Sequence, residues 1–323
     1  MTENSRFAAI GECMIELCDQ AQTTIAFGGD SYNTTAYLAR LGKGRGLSAD
    51  YITALGDDPY SDEMIATWRE EGVGTDLVRI LPGRLPGLYA IRTDNAGERS
   101  FYYWRDQAAA RDLWKGDDWQ DLVARMTGYN LIYLSGITLS IYDDESRDRL
   151  AAALKAAREA GTTIAFDGNY RPRGWPDVET ARRVMTRFLN LTDIALPTFD
   201  DEHALFGDED VNRCAARLAD CGITEMAIKL GSAGCLLSVQ NRQVFVPTDE
   251  VENVVDTTAA GDSFNAGYLA SRMIGAPQLP AAQVANQLAA KVIQHPGAIM
   301  PIDSMPDILP TIAPPEPPKL IQI

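Results

Sequence analysis

Residues 255–267, VDTTAAGDSFNAG, concentrate the side chains of this chain best suited to chemistry. The small residues Ala259, Ala260 and Gly261 let backbone N–H groups approach an anion closely. A helix is expected to start here, and a helix start offers unpaired N–H groups and a partial positive charge, which together hold phosphate well. Asp262 then falls in the first turn, beside that anion site. A carboxylate so placed can take the proton of an attacking hydroxyl, while phosphoryl transfer otherwise asks mainly for positioning and charge neutralisation. The plainer alternative is that Asp256 and Asp262 are acidic residues of the kind that favour helix starts. No Gly-x-x-x-x-Gly-Lys-Ser/Thr loop is present, because Gly42-Lys43 lacks both the earlier glycine and the following hydroxyl. No protein-kinase motif set is visible either.

Such a site needs a framework of strands and helices, and the apolar pattern supplies one. Strands are expected over 7–17, 50–55, 131–134, 162–166, 193–196 and 225–229, with another ending near Asp256. Helices are expected over 31–41, 62–71, 144–160, 178–190, 211–220, 260–273 and 281–294. Strands alternating with helices imply an α/β fold with a mostly parallel sheet covered on both faces, whose ligands bind beyond the carboxyl ends of the strands. Residues 87–93 (GLYAIRT) and 99–104 (RSFYYW) break that rhythm around Asp94-Asn-Ala-Gly97. They predict a β-hairpin carrying Tyr89, Tyr102, Tyr103 and Trp104, either as a flap or as a cap on the core. A second hairpin is expected over 235–246, turning at Gln240-Asn241. From about Pro301 the chain is proline-rich and expected to run extended. With no internal repeat and no long linker, the chain reads as a single domain over 1–310 with a tail over 311–323.

The 323 residues, 46% of them hydrophobic, suffice for one large core plus a small appendage. No stretch approaches the roughly 18 apolar residues of a membrane span, and the start is too short and interrupted for a signal peptide. A cytoplasmic protein is therefore expected. The five cysteines match no zinc spacing and are expected to be buried thiols, and His203 and His295 are expected to have no catalytic role. A formal charge of −16 disfavours nucleic acid and anionic membranes as partners. It also repels an anionic substrate, so any such substrate needs arginines gathered at its site.

Two signatures at opposite ends of the chain connect these observations. Residues 256–262, DTTAAGD, resemble the carboxyl-terminal signature of the ribokinase-like (PfkB-type) sugar kinases. Residues 27–35, FGGDSYNTT, resemble that family's sugar-binding turn, with two glycines and then an Asn opening a helix. The segments 11–17 (GECMIEL), 84–89 (RLPGLY), 97–105 (GERSFYYWR), 169–173 (NYRPR) and 297–301 (GAIMP) resemble the family's branch that acts on keto-deoxy sugar acids. The resemblance implies a ribokinase-like three-layer sandwich with a mostly parallel central sheet and a small β-lid, its strands drawn from about 11–28 and 87–104. It implies ATP-dependent phosphorylation of 2-keto-3-deoxygluconate at the C6 hydroxyl. Its partners would be the sugar acid, ATP with Mg²⁺, and other copies of the chain in a homo-oligomer; a monovalent cation stays open. A fructokinase- or nucleoside-kinase-like activity and a catalytically silent sugar-acid-binding protein are the alternatives.

Position by position, Asp262 resembles the catalytic base, and the backbone of Ala259, Ala260 and Gly261 the anion hole. Gly29, Asp30 and Asn33 resemble sugar contacts, and Tyr89, Tyr103 and Arg105 resemble lid contacts to the sugar acid. Arg171 resembles a contact shared by substrate and phosphate. Arg105 and Arg171 suit a carboxylate, which arginine clasps through two parallel hydrogen bonds. Asn169, Thr198, Lys229, Gly231 and Gly234 resemble nucleotide-side residues. Mg²⁺ would be held mainly by phosphates and water, with no direct protein ligand expected and with Asp201 and Glu202 acting through water. Two departures matter. Ala259 stands where many relatives have Gly, a change that is tolerable if its φ is negative and that the keto-deoxy sugar acid branch commonly carries. Thr198 and Asp201 stand where many relatives have the Asn and Glu of Asn-x-x-Glu, with Glu202 next door.

Overall fold

The computed structural model describes residues 5–19, 24–93, 99–240 and 242–311. The first half contains β1 (Ser5–Ile10), β2 (Met14–Asp19), β3 (Thr24–Gly28), α1 (Asp30–Gly42), β4 (Leu47–Leu55), α2 (Pro59–Glu70), β5 (Val73–Gly74), β6 (Val78–Ile80), β7 (Gly87–Thr93), β8 (Arg99–Trp104), α3 (Trp119–Met126), β9 (Leu131–Ser135), α4 (Gly136–Ile141) and α5 (Asp144–Glu159). The second contains β10 (Thr163–Asp167), α6 (Val178–Leu189), β11 (Ile194–Ala195), α7 (Phe199–Phe206), α8 (Val211–Asp220), β12 (Glu225–Lys229), β13 (Cys235–Val239), β14 (Arg242–Val246), α9 (Ala260–Met273) and α10 (Gln278–Val292).

Ten strands form the central sheet in the order β14-β13-β12-β11-β10-β9-β1-β4-β5, with β6 pairing β4. It is parallel from β12 to β5, and β13 and β14 add an antiparallel edge. Side chains alternate across a strand, so each central strand feeds two cores. Ala8, Ile10, Ile132, Leu134, Ile164 and Phe166 pack with α5, α6 and α8 on one face. Phe7, Ala9, Tyr51, Tyr133 and Ala165 pack with α1, α2, α9 and α10 on the other. Continuous apolar runs such as 7–10 therefore signal burial on both faces, and the three-layer sandwich follows.

A second sheet of four strands has the order β3-β2-β7-β8, with β2 and β7 parallel and both outer pairs antiparallel. Here the expected strand over 7–17 divides: β1 joins the central sheet, and β2 leaves it after the link 11–13. Gly11 permits the departure, because a Cβ there would lie 1.9 Å from Ser31 Oγ. The hairpin over 87–104 pairs as β7 and β8, while its expected turn at 94–97 lies outside the described residues. The hairpin β13–β14 also forms; Gln240 has φ 48°, and Asn241 lies outside the described residues.

Several boundaries move for local reasons. α2 starts at Pro59 because Asp58 caps it, accepting from Tyr60 N (3.0 Å) and Ser61 N (3.2 Å), and proline suits the first helical position. α10 absorbs Pro280 in its first turn, where a missing N–H costs nothing. No strand ends near Asp256. Its carboxylate instead accepts from Thr258 N (3.0 Å) and Gly297 N (2.8 Å), and this local bonding competes with a strand. Of the tail expected over 311–323, residues 312–323 lie outside the described residues. Cys13, Cys214 and Cys235 are buried thiols, and Cys221 is half-buried. Among the described residues, no helix is long and apolar enough to cross a membrane.

Candidate active site

The site gathers at the carboxyl ends of the central strands, where β1, β10 and β12 deliver Glu12, Asp167 and Lys229 toward the starts of α1 and α9. Ala259 caps α9 at φ 60° and ψ 14°, in the left-handed region, so the negative φ on which an easy alanine depended is not met. That conformation costs a non-glycine residue about 1–2 kcal/mol, and the pinned Asp256 turn before it holds the chain there. Of the three amides expected to meet an anion, that of Ala260 donates to Thr257 O at 3.2 Å. Among the described residues no acceptor engages the N–H of Ala259 or Gly261.

Asp262 lies in the first turn of α9, half-buried, and its Oδ2 accepts from Asn33 Nδ2 at 2.8 Å. Thr34 Oγ1 donates to the Asp262 carbonyl at 3.2 Å, so the starts of α1 and α9 are tied together. Burial, and then the negative charge of Asp30, push the Asp262 carboxyl up to about 7, with Asn33 and Lys229 pulling the other way. A carboxylate so raised is a better proton acceptor near neutral pH than an ordinary aspartate. Gly29 caps α1 because a Cβ would meet Glu12 O at 2.2 Å. The sugar-type turn is thus pressed against the link 11–13. Asp30 accepts from Asn169 Nδ2 at 2.8 Å, and Asn169 sits at φ 36°.

Beneath α9 lies a network that sequence reasoning missed. Asp167, almost fully buried, accepts from Lys229 Nζ and Asn265 Nδ2, both at 2.7 Å. Asn265 Nδ2 also reaches Tyr133 OH at 3.1 Å, and Lys229 Nζ reaches Asn265 Oδ1 at 3.0 Å. A Cβ on Gly261 would lie 3.5 Å from Lys229 Nζ, so a cation stands close to the turn expected to receive an anion. The available signal was an Asp ending a parallel strand, in TIAFD, which is where such folds put their chemistry.

The small sheet reaches the same region. Tyr89 is buried, donates its hydroxyl to the Glu16 carboxylate, and crowds Gly28, where a Cβ would lie 2.6 Å from the phenol oxygen. Tyr103 pairs across from Tyr89 with ring centroids 5.9 Å apart, and it is half exposed. Arg105 donates to Glu12. Arg171 is tied to both Asp201 oxygens at 3.0 Å each. The two arginines expected to suit the carboxylate of a sugar acid are therefore each held by a carboxylate of their own. His203 Nδ1 bonds Asp208 O at 2.7 Å, away from Asp262's partners.

Beside Gly261 opens a cleft of about 770 Å³, within the usual range for small-molecule sites. Thr198, Lys229, Gly231 and Gly234 line it, as do Ala260 and Gly261. Val254, Phe264, Ala289 and Ile293 also line it, none of which the sequence marked, because isolated apolar residues look like core. The carboxylates expected to order metal waters also fit that task chemically. Burial raises both Asp201 and Glu202, the latter to about 7, and the charge of Asp167 raises both further. Crowded carboxylate oxygens that destabilise one another's charge suit a hard divalent cation holding its waters. Arg171 and Arg217 occupy part of this acid set, which favours contact through water.

A parallel sheet, a small companion sheet and a helix start opening on a cleft define the ribokinase-like class. The fructokinase of Vibrio cholerae, solved with fructose, ADP and calcium ion bound, shares the fold with a TM-score of 0.79 at 22% identity, covering 93% of this chain and 96% of that one. Residues 5–305 match the pfkB family carbohydrate kinase profile, and the chain belongs to that family. The 2-dehydro-3-deoxygluconokinase of Dickeya dadantii is 46% identical over 303 residues, 93% of this chain and 98% of the relative. That of Escherichia coli K12 is 43% identical over 307 residues, 94% and 99%.

Proposed function

We infer that this chain is a 2-dehydro-3-deoxygluconokinase (the same sugar acid is called 2-keto-3-deoxygluconate), transferring the γ-phosphoryl group of ATP to the C6 hydroxyl. One observation carries the reading: the Asp262 carboxylate, held by Asn33, stands beside the unengaged Gly261 amide where the cleft opens. The relatives named for this activity, matched over nearly their whole length, supply the substrate.

In this reading Asp262 receives the proton of the C6 hydroxyl as its oxygen bonds the γ-phosphorus and the bond to the β-phosphate oxygen breaks. The N–H groups of Ala259 and Gly261 and the nearby Lys229 meet the charge on the migrating group. Gly29, Asp30 and Asn33 hold the sugar, with Tyr89 and Tyr103 over it. Arg105 answers its carboxylate, and Arg171 lies between sugar and phosphates. Asn169, Thr198, Gly231 and Gly234 border the nucleotide. A bound Mg²⁺ neutralises phosphate charge, and Asp201 and Glu202 would hold its waters. The same reading places the protein in the cytoplasm as a homo-oligomer, and the half-exposed Tyr102 and more exposed Trp104 on β8 support pairing through the small sheet.

The test is ADP release with 2-dehydro-3-deoxygluconate, D-fructose and a nucleoside as acceptors. Turnover with the sugar acid at the highest kcat/KM is expected. A preference for fructose or the nucleoside overturns the acid assignment, and sugar-acid binding without ADP release would make the chain a silent binding protein.

A further inference from the structure

The pair formed by Glu12 and Arg105 is buried but only half made. The Glu12 side chain is 1% exposed and that of Arg105 19%. Glu12 Oε2 accepts from Arg105 Nη2, while Glu12 Oε1 and Arg105 Nε are buried without a partner among the described residues. An arginine fork and a carboxylate ordinarily close two parallel bonds. A buried polar atom left unpaired is costly, so a fork held at one corner invites a second acceptor.

Position and charge say which acceptor. Glu12 lies in the link 11–13 between the two sheets, and its carbonyl fills the space a Gly29 side chain would need. The charges of Arg111 and Asp30 also act on Glu12, and Asp30 opens α1 at the sugar-type turn. Gly87, at the start of β7, leaves the pair its room: a Cβ there would lie 2.6 Å from Glu12 Oε1 and 3.3 Å from Arg105 Cβ. Arg105 itself follows directly on β8, so the pair joins the foot of the small sheet to the link.

We propose that Glu12 is a positioning residue for the substrate carboxylate: it grips one amino group of Arg105 and presents the rest of the fork to the sugar acid. This deepens the function proposed above and rests on it. A free arginine must surrender its rotamer freedom when a ligand binds, whereas one already held does not. A neutral sugar has no group for the fork, so the device favours acids over neutral sugars.

The test is a double-mutant cycle with 2-dehydro-3-deoxygluconate as the varied substrate, using the wild type, Glu12→Gln, Arg105→Ala and the double variant. Arg105→Ala should raise KM on the order of 100-fold and Glu12→Gln about tenfold, with kcat within about threefold of the wild type in the latter. The double variant should match Arg105→Ala alone, because Glu12 acts only through Arg105. Arg105→Ala should also lower the thermal midpoint by stranding a buried carboxylate, and adding Glu12→Gln should recover it. A Glu12→Gln effect that persists undiminished in the Arg105→Ala background overturns the proposal, as does an unchanged or lowered KM. If Glu12→Gln does not fold, Gly87→Ala crowds the same oxygen and takes its place in the kinetic cycle, with the same KM expectations and none for the thermal midpoint. A wild type inactive on the sugar acid sinks the parent function, whereas an active wild type with an indifferent Glu12→Gln sinks only this inference.

Discussion

Asp262 is a carboxylate poised between opposing influences, and the balance is measurable. Burial and Asp30 raise its pKa, while Asn33 and Lys229 stabilise its charged form. A general base works only when ionised, so kcat/KM should fall as pH drops below about 7. An unperturbed aspartate would lose activity only near pH 4. Asp30→Asn removes the neighbouring negative charge, so the acid limb of that variant's own pH profile should move to lower pH, whatever its absolute rate. A limb that stays in place would mean that Asp30 does not set the proton affinity of the base. Asp262→Asn, nearly the same in shape, should cut turnover by about 10²–10⁴ with sugar binding kept, measured by single-turnover ADP formation and by titration of the sugar acid. Sequence exposed Asp262 because the three small residues before it leave room for an anion beside a helix-start carboxylate. It hid Asp167, whose importance comes from Lys229 and Asn265, distant in the chain and joined to it only by the sheet.

At the scale of elements, alternation and helical periodicity placed most strands and helices, because burial on a sheet face or helix stripe leaves a local pattern. What the pattern could not show was where one strand changes sheets. The segment 7–17 reads as one strand despite Gly11, Glu12 and Glu16, and the break at 11–13 depends on Ser31, Gly29 and Glu12 meeting there. The conformation of Ala259 was equally invisible, since its left-handed φ is imposed by the turn that Asp256 pins through Thr258 and Gly297. That strain gives a prediction. Ala259→Gly relieves the Cβ conflict, worth about 1–2 kcal/mol in the folded state, but frees the unfolded chain by about 0.4–1 kcal/mol. The net expectation is a gain of roughly 0.5–1 kcal/mol, read by denaturant titration, with a loss of stability as the contrary result. Gly29→Ala should act oppositely. Its Cβ would meet backbone at 2.2 Å, which cannot swing aside, so the start of α1 must shift and take Asn33 with it. A KM rise with the Asp262 pH limb moved is expected, because Asn33 would no longer hold the carboxylate as it does here.

For the whole molecule, the question is how a strongly acidic protein admits two anionic substrates and keeps water from the transfer. The formal charge of −16 is opposed only locally, where Arg105, Arg171 and Lys229 stand among Glu12, Asp30, Asp167 and Asp201. Each cation is shared with a carboxylate, so no net positive charge stands at the site before phosphates and a sugar acid arrive. The small sheet supplies what remains: the Glu12–Arg105 pair ties it to the link that leaves the central sheet, while Phe101, Tyr103 and Trp104 stay exposed. A sheet attached at its foot, with Phe101 and Tyr103 exposed, can close on a ligand that bridges Arg105 and Tyr103 to α1. Closure of this kind excludes water and completes a catalytic set. Amide hydrogen exchange over 87–93 and 99–104 should therefore slow when 2-dehydro-3-deoxygluconate is added, and slow further with a non-hydrolysable ATP analogue. The buried strand β1 serves as the internal reference, because it should exchange no faster in either state. Asp262→Asn should still show the protection, since closing needs the sugar contacts and not the proton transfer, whereas Arg105→Ala should lose most of it. Exchange that ignores the sugar acid in the wild type would make the small sheet a fixed wall and leave exclusion of water to the cleft alone.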